Sequence, residues 1–285
     1  MTHRPAGTRA LVDREAGVEA LRGSQSVRRA LDLLSLIATQ DRVGGSSLSD
    51  LAATSGLPKA TARRLLQELV HAGFVERTAD SLLYHLGPVS FVVGNIAKRR
   101  YEIHDLALPT LARLVDATND TAFLSIRCDD WCVCLHREEA GDPIRSHLLQ
   151  AGDRHPLGIG AGSLAMLATF PDADVSAILE RNRDVMARRY PDFTIAIVEQ
   201  DIALTRERGY SFNPGRVVTQ SWGVGAAIRS ANGVAVGALS IASVRHRLPP
   251  ERVQALGTLL VREAAALGDR LDGPTPSTRK RGDAR

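Results

Sequence analysis

The sequence predicts an α+β protein in two parts, a helical N-terminal module closed by a β-hairpin and a C-terminal domain built on an antiparallel sheet. Three observations predict this division. Apolar residues recur at helical spacing in three separate stretches between residues 24 and 72, and two short strand-like runs follow at once. Strand-like and helix-like segments then mix from about residue 121 onward, without an internal repeat. Basic side chains are in excess in the first hundred residues, whereas acidic ones are in slight excess between 101 and 271.

Composition sets the class of protein. The chain has 285 residues, 44% of them hydrophobic, with 36 Lys+Arg against 32 Asp+Glu and only 3 cysteines. This is the composition of an ordinary globular protein with room for about two domains, and it excludes a fibrous protein or a disulfide scaffold. No run approaches the roughly 18 consecutive apolar residues of a spanning helix, and residues 1–22 lack the apolar core of a signal peptide. We expect a cytoplasmic protein that has no contact with a membrane and keeps its cysteines reduced.

The N-terminal module begins after residues 1–23, which lack periodicity and are expected to form a disordered basic tail. From Ser24 onward, one apolar stripe predicts a helix of about four turns. The stripe consists of Val27, Ala30, Leu31, Leu34 and Ile37. Ser47 is then placed to cap a short second helix over about 48–55, with Asp50 in its acidic first turn.

A third helix is predicted from Pro58 to about Ala72, after the turn at 56–58. Its buried stripe would consist of Ala62, Leu65, Leu66, Leu69 and Val70. Gly73 ends this helix, and residues 74–77 and 82–86 are predicted to pair as a hairpin. This order of elements is that of a winged helix-turn-helix, whose third helix has a basic outer face and can enter a DNA major groove. A protein-interaction module with an incidental basic helix remains the alternative.

The remainder is predicted as follows. Residues 88–118 are helical, with an interruption at Pro109, and apolar on more than one face, which suits a linker helix and a dimer contact. Strands are predicted at 121–127, 131–137, 144–149, 221–228 and 234–242, and helices at 162–168, 174–181, 195–207 and 251–271. Residues 273–285 are rich in Pro, Ser and Arg and are expected to be disordered.

Several segments together resemble one family. In the N-terminal third these are SVRRALDLL (26–34), SDLA (49–52), GLPKATARRLL (56–66) and GFVE (73–76). Further along they are RHPL (154–157), AMLA (165–168), RERGY (206–210) and GALSI (237–241). Their order and spacing, over about residues 24–268, resemble those of the IclR family of bacterial transcriptional regulators.

The resemblance implies a winged helix-turn-helix at 24–87, a linker helix at 88–106 and a GAF-like effector-binding domain with an antiparallel sheet at 107–272. It implies a repressor or activator that forms a homodimer or homotetramer, binds a pseudo-palindromic double-stranded DNA operator and responds to a small-molecule effector. It implies no cofactor, no metal and no catalytic residue, and therefore no enzyme.

The resemblance also gives the DNA-facing residues roles. Four residues of the third helix are expected to contact DNA, namely Lys59, Thr61, Arg63 and Arg64. Arginine is better suited to base recognition because its guanidinium can donate hydrogen bonds to two acceptor atoms of guanine. Ser26, Arg29 and Arg77 are expected to contact phosphates, which position a domain without reading sequence.

A Gly-rich turn at 157–163 leads into the helix at 162–168 and leaves backbone N–H groups unpaired, which favours a carboxylate or phosphate. By resemblance this turn lines the effector pocket. The implied pocket residues are Ala161, Gly162, Asn213, Gly223, Ser240 and Ala242. Many relatives have His at position 158, an acidic residue near 213, Cys at 223 and Ser at 242, so this pocket should be roomier and more apolar. The expected effector is therefore a carboxylate larger than a two- or three-carbon acid, in the first place an aromatic or alicyclic one.

Other chemistries are less well supported. The Gly158-x-Gly160-x-Gly162 pattern does not follow an apolar strand, as a dinucleotide loop would, and Ala165 stands where a nucleophile elbow needs glycine. Cys132, Cys134 and His136 alternate along a predicted strand and would share one face, but their spacing is too short for ordinary zinc ligands. A buried or ligand-sensing thiol face is the preferred interpretation. An enzyme that has acquired a DNA-binding domain remains open, although no convincing pair of titratable groups is evident.

Overall fold

The computed structural model describes residues 24–40, 44–98, 100–139 and 149–271. The predicted disordered tails at 1–23 and 273–285 lie outside these ranges. The strand predicted at 144–149 also lies outside them, except for Leu149, which belongs to no strand.

The N-terminal module is a three-helix unit with a hairpin, as predicted. Its elements are α1 (Gln25–Gln40), α2 (Leu48–Ser55), α3 (Lys59–His71), β1 (Val75–Arg77) and β2 (Tyr84–Leu86). β1 and β2 pair antiparallel, and Ser46, just before α2, bridges to Tyr84. One small core holds the helices to the hairpin, and it includes Leu36, Leu51, Leu66 and Val75.

Two predicted helix ends, the start of α2 and the end of α3, are confirmed by their hydrogen bonds. Ser47 Oγ accepts a hydrogen bond of 3.1 Å from the backbone N–H of Asp50 and so caps α2. At the end of α3, Phe74 N–H donates to the carbonyl of Leu69 and Gly73 N–H to that of Val70, each at 3.0 Å. Gly73 has a φ of 75°, which a residue without a side chain adopts most readily, so this glycine allows the chain to turn into the wing.

The predicted apolar stripe of α1 is partly wrong. Leu33, Leu36 and Ile37 are buried, whereas Val27 and Leu31 are 60% and 45% exposed. Val70 of α3 was also expected to be buried and is exposed. The core of this thin module is too small to cover both sides of its helices, so α1 buries only its C-terminal half.

The linker region contains two helices, α4 (Pro88–Lys98) and α5 (Glu102–Thr118). The predicted interruption at Pro109 is wrong, because Pro109 lies inside α5. A proline inside a helix costs about 3 kcal/mol. The buried face of α5, with Ala107, Leu111 and Leu114 on both sides of Pro109, offsets that cost. The helical run breaks instead between Lys98 and Glu102, within the predicted linker.

The C-terminal domain contains a six-stranded sheet in the order β5-β4-β3-β8-β7-β6, with every described pairing antiparallel. Its elements are β3 (Thr121–Cys128), β4 (Trp131–Glu138), β5 (Arg154–Pro156), α6 (Ala161–Leu167), α7 (Asp172–Arg189), α8 (Ile195–Arg208), β6 (Ser211–Val218), β7 (Ser221–Arg229), β8 (Ala235–Val244) and α9 (Pro250–Leu271). The predicted α+β class and antiparallel sheet are confirmed. In the described part of the chain, no helix is both long and apolar enough to cross a membrane.

Two strands were not predicted. β6 contains Pro214 and Gly215, which are typical of turns, and β5 is only 3 residues long and ends in proline. Helix α7 was predicted to end at Arg181 but continues to Arg189. Its polar composition hides the buried positions of the later turns, such as Val185 and Met186.

Each face of the sheet is covered by its own set of helices. On one face, α5 and α9 pack through residues such as Leu111 and Leu260 against Leu124 and Ile241 of the strands. On the other, α6, α7 and α8 form a second core that includes Met166, Leu179 and Ile202. The two cores lie on opposite sides of the sheet because strand side chains alternate between its faces.

The first turn of α6 lies directly against the strands. A Cβ on Gly225 of β7 would lie 2.7 Å from the carbonyl carbon of Ala161 and 2.8 Å from the backbone nitrogen of Gly162. Ser211 Oγ of β6 also donates a 2.6 Å hydrogen bond to the Ala161 carbonyl. This contact fixes where α6 begins relative to the sheet.

Replacing Gly225 with alanine should therefore push the first turn of α6 away from β7. We expect Gly225→Ala to lower the free energy of unfolding by about 1–3 kcal/mol, the usual cost of overpacking, in urea titrations. Gly94→Ala is the control, because its Cβ would meet nothing within 4 Å and alanine favours a helix. Equal stability of the two variants would show that the close approach at Gly225 is not a constraint.

Candidate functional site

The exposed face of α3 is a cationic surface. Lys59, Arg63 and Arg64 are exposed, while Ala62, Leu65, Leu66 and Leu69 on the opposite side are buried in the core. Lys59 Nζ donates a 3.0 Å hydrogen bond to Ser49 Oγ, which ties the start of α3 to the first turn of α2. A helix that packs on the core along one face and carries positive charge on the other has the form that is needed to bind in a DNA major groove.

The other predicted DNA residues lie at or near the surface. Ser26 and Arg77 are exposed, and Arg29 and Thr61 are half-buried. Arg77 is held in the wing, since its Nε donates to the Leu82 carbonyl at 3.3 Å and its guanidinium lies 5.5 Å from the centre of the Tyr84 ring. The structure therefore leaves these side chains accessible, and their roles stay predictions.

A cavity of about 120 Å³ lies where the first turn of α6 faces the strands. All six residues expected to form the effector pocket line it. They are Ala161, Gly162, Asn213, Gly223, Ser240 and Ala242. The cross-strand register explains this convergence, because Ala242 pairs with Gly223, which in turn pairs with Asn213.

Sequence reasoning missed other residues of the cavity lining, most of which have larger side chains. The missed lining residues include Phe123, Ser125, Asp153, His155, Tyr190 and Trp222. Phe123 pairs with Ser240 across β3 and β8, so strand alternation could have placed it on the same face. Asp153 and His155 lie beside and in β5, a strand that the sequence did not reveal.

Two polar side chains of the lining are fixed by backbone contacts. Asn213 Oδ1 accepts a 3.0 Å hydrogen bond from the Arg216 N–H, which leaves the amide nitrogen of Asn213 as a donor. Ser163 Oγ accepts a 2.8 Å hydrogen bond from Gly158 N–H and lies 3.4 Å from the Pro156 carbonyl. The Ser163 hydroxyl thus stabilises the Gly-rich turn. This role agrees with the sequence-based conclusion that Ser163 is not the nucleophile of a serine hydrolase.

Burial alters the ionisation of two groups beside the cavity. Desolvation lowers the pKa of His155 to about 4, so its imidazole is neutral near neutral pH. Desolvation also raises the pKa of Asp153, although the N–H of Gln150 and the positive charge of Arg137 act in the opposite direction. The β5 side of the cavity therefore offers hydrogen-bond acceptors through these two side chains.

The prediction that Cys132, Cys134 and His136 share one face is wrong. A bulge in β4 shifts the register, so that Ser125 pairs with Cys134 but Leu124 pairs with His136. His136 therefore faces α5, where its ring lies 5.4 Å from that of His104. The two thiols are buried on the other face, and burial raises the pKa of Cys132 to about 12.

The described part of the chain contains no group of three or more His, Cys, Asp or Glu side chains arranged to hold a metal ion. The zinc interpretation therefore has no geometric support among those residues. An antiparallel arrangement of the strands next to the Gly-rich turn likewise differs from the parallel sheet of a dinucleotide-binding fold.

Comparison with known proteins decides between the remaining interpretations. The protein-family model of the IclR helix-turn-helix domain matches residues 26–79 of this sequence. The family model of the C-terminal domain of IclR bacterial transcriptional regulators matches residues 97–268. The chain belongs to the IclR family. Its members are transcriptional regulators with a helix-turn-helix and an effector-binding domain, and the curated IclR relatives are named as regulators and repressors, not enzymes.

Individual IclR relatives are similar to this chain over nearly their whole length. The glycerol operon regulatory protein of Streptomyces griseus is 30% identical over 250 residues, which cover 86% of this chain and 95% of that protein. An IclR regulator from Alicyclobacillus acidocaldarius shares the fold with a TM-score of 0.69 at 23% identity, covering 87% of this chain and 98% of the other. An IclR homologue from Microbacterium hydrocarbonoxydans, solved with 4-hydroxybenzoate, has a TM-score of 0.64 at 23% identity, with 86% and 97% coverage.

The half-buried imidazole of His155, desolvated in the wall of the cavity, should make the protein sensitive to acid. Because its folded pKa is lowered from 6.5 to about 4, the stability that its neutral form provides is present above about pH 6.5 and is lost as the pH falls toward 4. Between about pH 7.5 and about pH 4 this loss should be on the order of 3 kcal/mol.

Urea titrations followed by tryptophan fluorescence measure this loss. His155→Gln should remove about that much of the pH dependence, whereas His71→Gln, at an exposed position on α3, should leave it unchanged. Identical pH dependence in the wild type and His155→Gln would contradict the lowered pKa of this imidazole.

Proposed function

We propose that this protein is a ligand-responsive regulator, acting in the cytoplasm, that binds a pseudo-palindromic operator and releases or retains it in response to a small organic carboxylate. The observation that carries the proposal is the cavity beneath α6, lined by all six expected pocket residues, in a chain that also exposes a cationic α3. Among the described residues, no observation favours an enzyme or an interaction module with an incidental helix.

The DNA-binding half of the proposal rests on the charge and exposure of α3. Arg63 and Arg64 are adjacent on its exposed face, where a guanidinium can pair with the two acceptors of guanine. Arg77 in the wing and Arg29 on α1 can contact phosphates to either side. Base contacts would then come from α3 alone, and the flanking arginines would supply salt-dependent affinity.

A second copy of the chain would complete the DNA-binding unit. Helix α4 has no buried residue, and its apolar side chains Phe91 and Ile96 are 72% and 68% exposed. Val27 and Leu31 of α1 are exposed as well. Apolar surface of this kind is typical of a protein interface, and a two-fold dimer would place two α3 helices on two half-sites. A homotetramer would be a pair of such dimers.

Binding to the DNA that flanks its own gene should be tight, resistant to scrambled competitor and strongly weakened by salt. Arg64→Ala should weaken this binding by about tenfold or more, the usual effect of losing a bidentate base contact. Glu68→Gln, also exposed on α3, should not weaken it, because it removes a negative charge from the same face. Fluorescence anisotropy at several salt concentrations measures both effects.

The same assay tests the paired half-sites. A duplex with one half-site should bind much more weakly than one with both, since a dimer engages both at once. Equal affinity of the wild type for specific and scrambled DNA at every salt concentration, with and without a metabolite extract, would refute the DNA-binding proposal.

The effector half rests on the shape and polarity of the cavity. Backbone N–H groups of the first turn of α6 and the amide nitrogen of Asn213 are donors that suit a carboxylate. Phe123, Trp222 and Ile241 provide apolar walls, and the cavity of about 120 Å³ approaches the size that admits a benzene ring. The 4-hydroxybenzoate in the Microbacterium hydrocarbonoxydans homologue supports a ring-sized effector. We therefore propose an aromatic or alicyclic carboxylate.

An effector of this kind can act by binding two arrangements of the dimer unequally. A ligand shifts an equilibrium only by its difference in affinity for the two states. If the cavity binds the acid more tightly when the two α3 helices are wrongly spaced for the operator, the acid lowers DNA affinity; the opposite preference raises it.

Saturating benzoate or cyclohexanecarboxylate should raise the melting temperature by several degrees, whereas glyoxylate should have little effect, because only a ring fills the cavity. Gly223→Cys should weaken benzoate binding by about tenfold or more, since even its Cβ would lie 3.3 Å from the Cβ of Ala161. Ala231→Cys, in the exposed turn after β7, is the matched control. Stabilisation by glyoxylate alone would contradict the proposed effector class.

A further inference from the structure

A larger cavity, of about 560 Å³, lies where α6, α8 and α9 meet the end of β7. We call it the β7 slot. Most of its lining residues are alanine or glycine, among them Ala165 and Ala168 of α6, Gly209 after α8 and Ala265 of α9. Small side chains leave room for another backbone to approach closely.

One wall of the β7 slot is a strand edge. In the described ranges, β6 pairs with β7 as far as Gly225 and with none of residues 226–229, so these residues have a neighbouring strand only on the β8 side. The Gly225 carbonyl accepts a 3.2 Å hydrogen bond from Ser211 Oγ, which places the backbone groups of Gly225 on the β6 side. Because backbone groups alternate in direction along a strand, the N–H and carbonyl of Ala227 point to the same edge.

An edge of this kind suits an extended peptide segment. Such a segment gains main-chain hydrogen bonds when it is added to a sheet, and specificity comes from the space around it. Ala226, Ala227 and Arg229 of β7 line the slot, so the edge is accessible from it. A free edge is otherwise open to pairing with a strand of another molecule.

Helix α9 ends beside the β7 slot. Gly268, in its last turn, lies against Arg229, because a Cβ at this position would overlap the Arg229 carbonyl oxygen, and Asp269 lines the slot. Gly257, three turns earlier, lies against Tyr210, just before β6. Helix α9 therefore runs in the same direction as β7. A segment that follows α9 and turns back enters the slot antiparallel to β7.

The sequence after α9 contains such a turn and an extended stretch. Asp272-Gly273 is a dipeptide typical of turns, and Pro274-Thr275-Pro276-Ser277 follows it. A proline favours an extended backbone in the residue before it. In a strand that keeps both prolines on its outer edge, the backbone groups of Thr275 and Ser277 face β7. A strand added to an existing edge needs no core of its own, so the polar composition of 273–285 is compatible with this role.

We propose that residues 274–277 add to the edge of β7 at Ala227 as a short antiparallel strand and fill the β7 slot. The two prolines then form the outer edge, where the missing N–H groups prevent further pairing. The C-terminal segment of the chain thus protects the sheet against pairing with other molecules. This role is independent of the effector and of DNA.

Hydrogen exchange at the Ala227 amide of the full-length protein, resolved with overlapping fragments, tests the pairing. The double variant Thr275→Pro/Ser277→Pro lacks both N–H groups that face β7, so its Ala227 amide should exchange about tenfold faster than that of the wild type. The matched control is Pro274→Ala/Pro276→Ala, which changes only the outward positions. It should keep the wild-type exchange rate.

A second pair of variants tests the slot without changing the segment. Ala265 and Ala266 are both exposed on α9, but only Ala265 lines the slot. The indole of Ala265→Trp should occupy the slot and displace the segment. Trypsin should then cleave after Arg279, two residues beyond the proposed strand, at least about fivefold faster than in the wild type, whereas Ala266→Trp should not alter the rate.

Three results would overturn the proposal. The first is equal exchange at Ala227 in the wild type and the double-proline variant. The second is equal cleavage after Arg279 in the two tryptophan variants. The third is protection of Ala227 that rises with protein concentration, because the added strand would then come from a second copy of the chain.

Discussion

The close contact between the first turn of α6 and strand β7 is the constraint on which the C-terminal domain depends. Gly225 has no room for a Cβ beside the backbone of Ala161 and Gly162. Gly162 is similarly limited, since its Cβ would lie 3.2 Å from Ser240 Oγ. This approach makes the first turn of α6 one wall of the cavity. Backbone positions thus shape this wall of the cavity, and larger side chains such as Phe123, Tyr190 and Trp222 line the rest of it.

The bulge in β4 has consequences on both faces of the sheet. It brings Arg137 to the face of the cavity, where its guanidinium lies 5.9 Å from the ring centre of Phe123, and turns His136 toward His104 of α5. Leu111 of α5 packs in the same core as Leu124 of β3. α5 packs directly against β3 and β4, so a ligand that displaced either strand would also displace α5. In the chain, α4 follows the hairpin of the N-terminal module, and α5 follows α4 and leads into β3. Helices α4 and α5 are therefore the shortest covalent connection between the cavity and the DNA-binding module.

Sequence reasoning succeeded where local rules and tertiary packing agree. The cap at Ser47 and the turn at Gly73 follow from local chemistry, and the resemblance to the IclR family named six residues that the structure brings together around one cavity. It failed where packing overrides the local signal. Pro109 lies within a helix because the buried face of α5 holds it there, and β6 forms although Pro214 and Gly215 interrupt its pattern. The face of His136 could not be predicted, because one bulged residue reverses the alternation of a strand.

Asp153 shows why the cavity could be only partly anticipated. Its position depends on the pairing of β5 with β4, a contact that involves a segment the sequence does not mark as a strand. Once that pairing forms, the backbone of Cys134 fixes the turn, and the carboxylate is desolvated beside the ligand space. The surroundings of this carboxylate are therefore set by the pairing of β5 with β4, which a sequence pattern does not reveal.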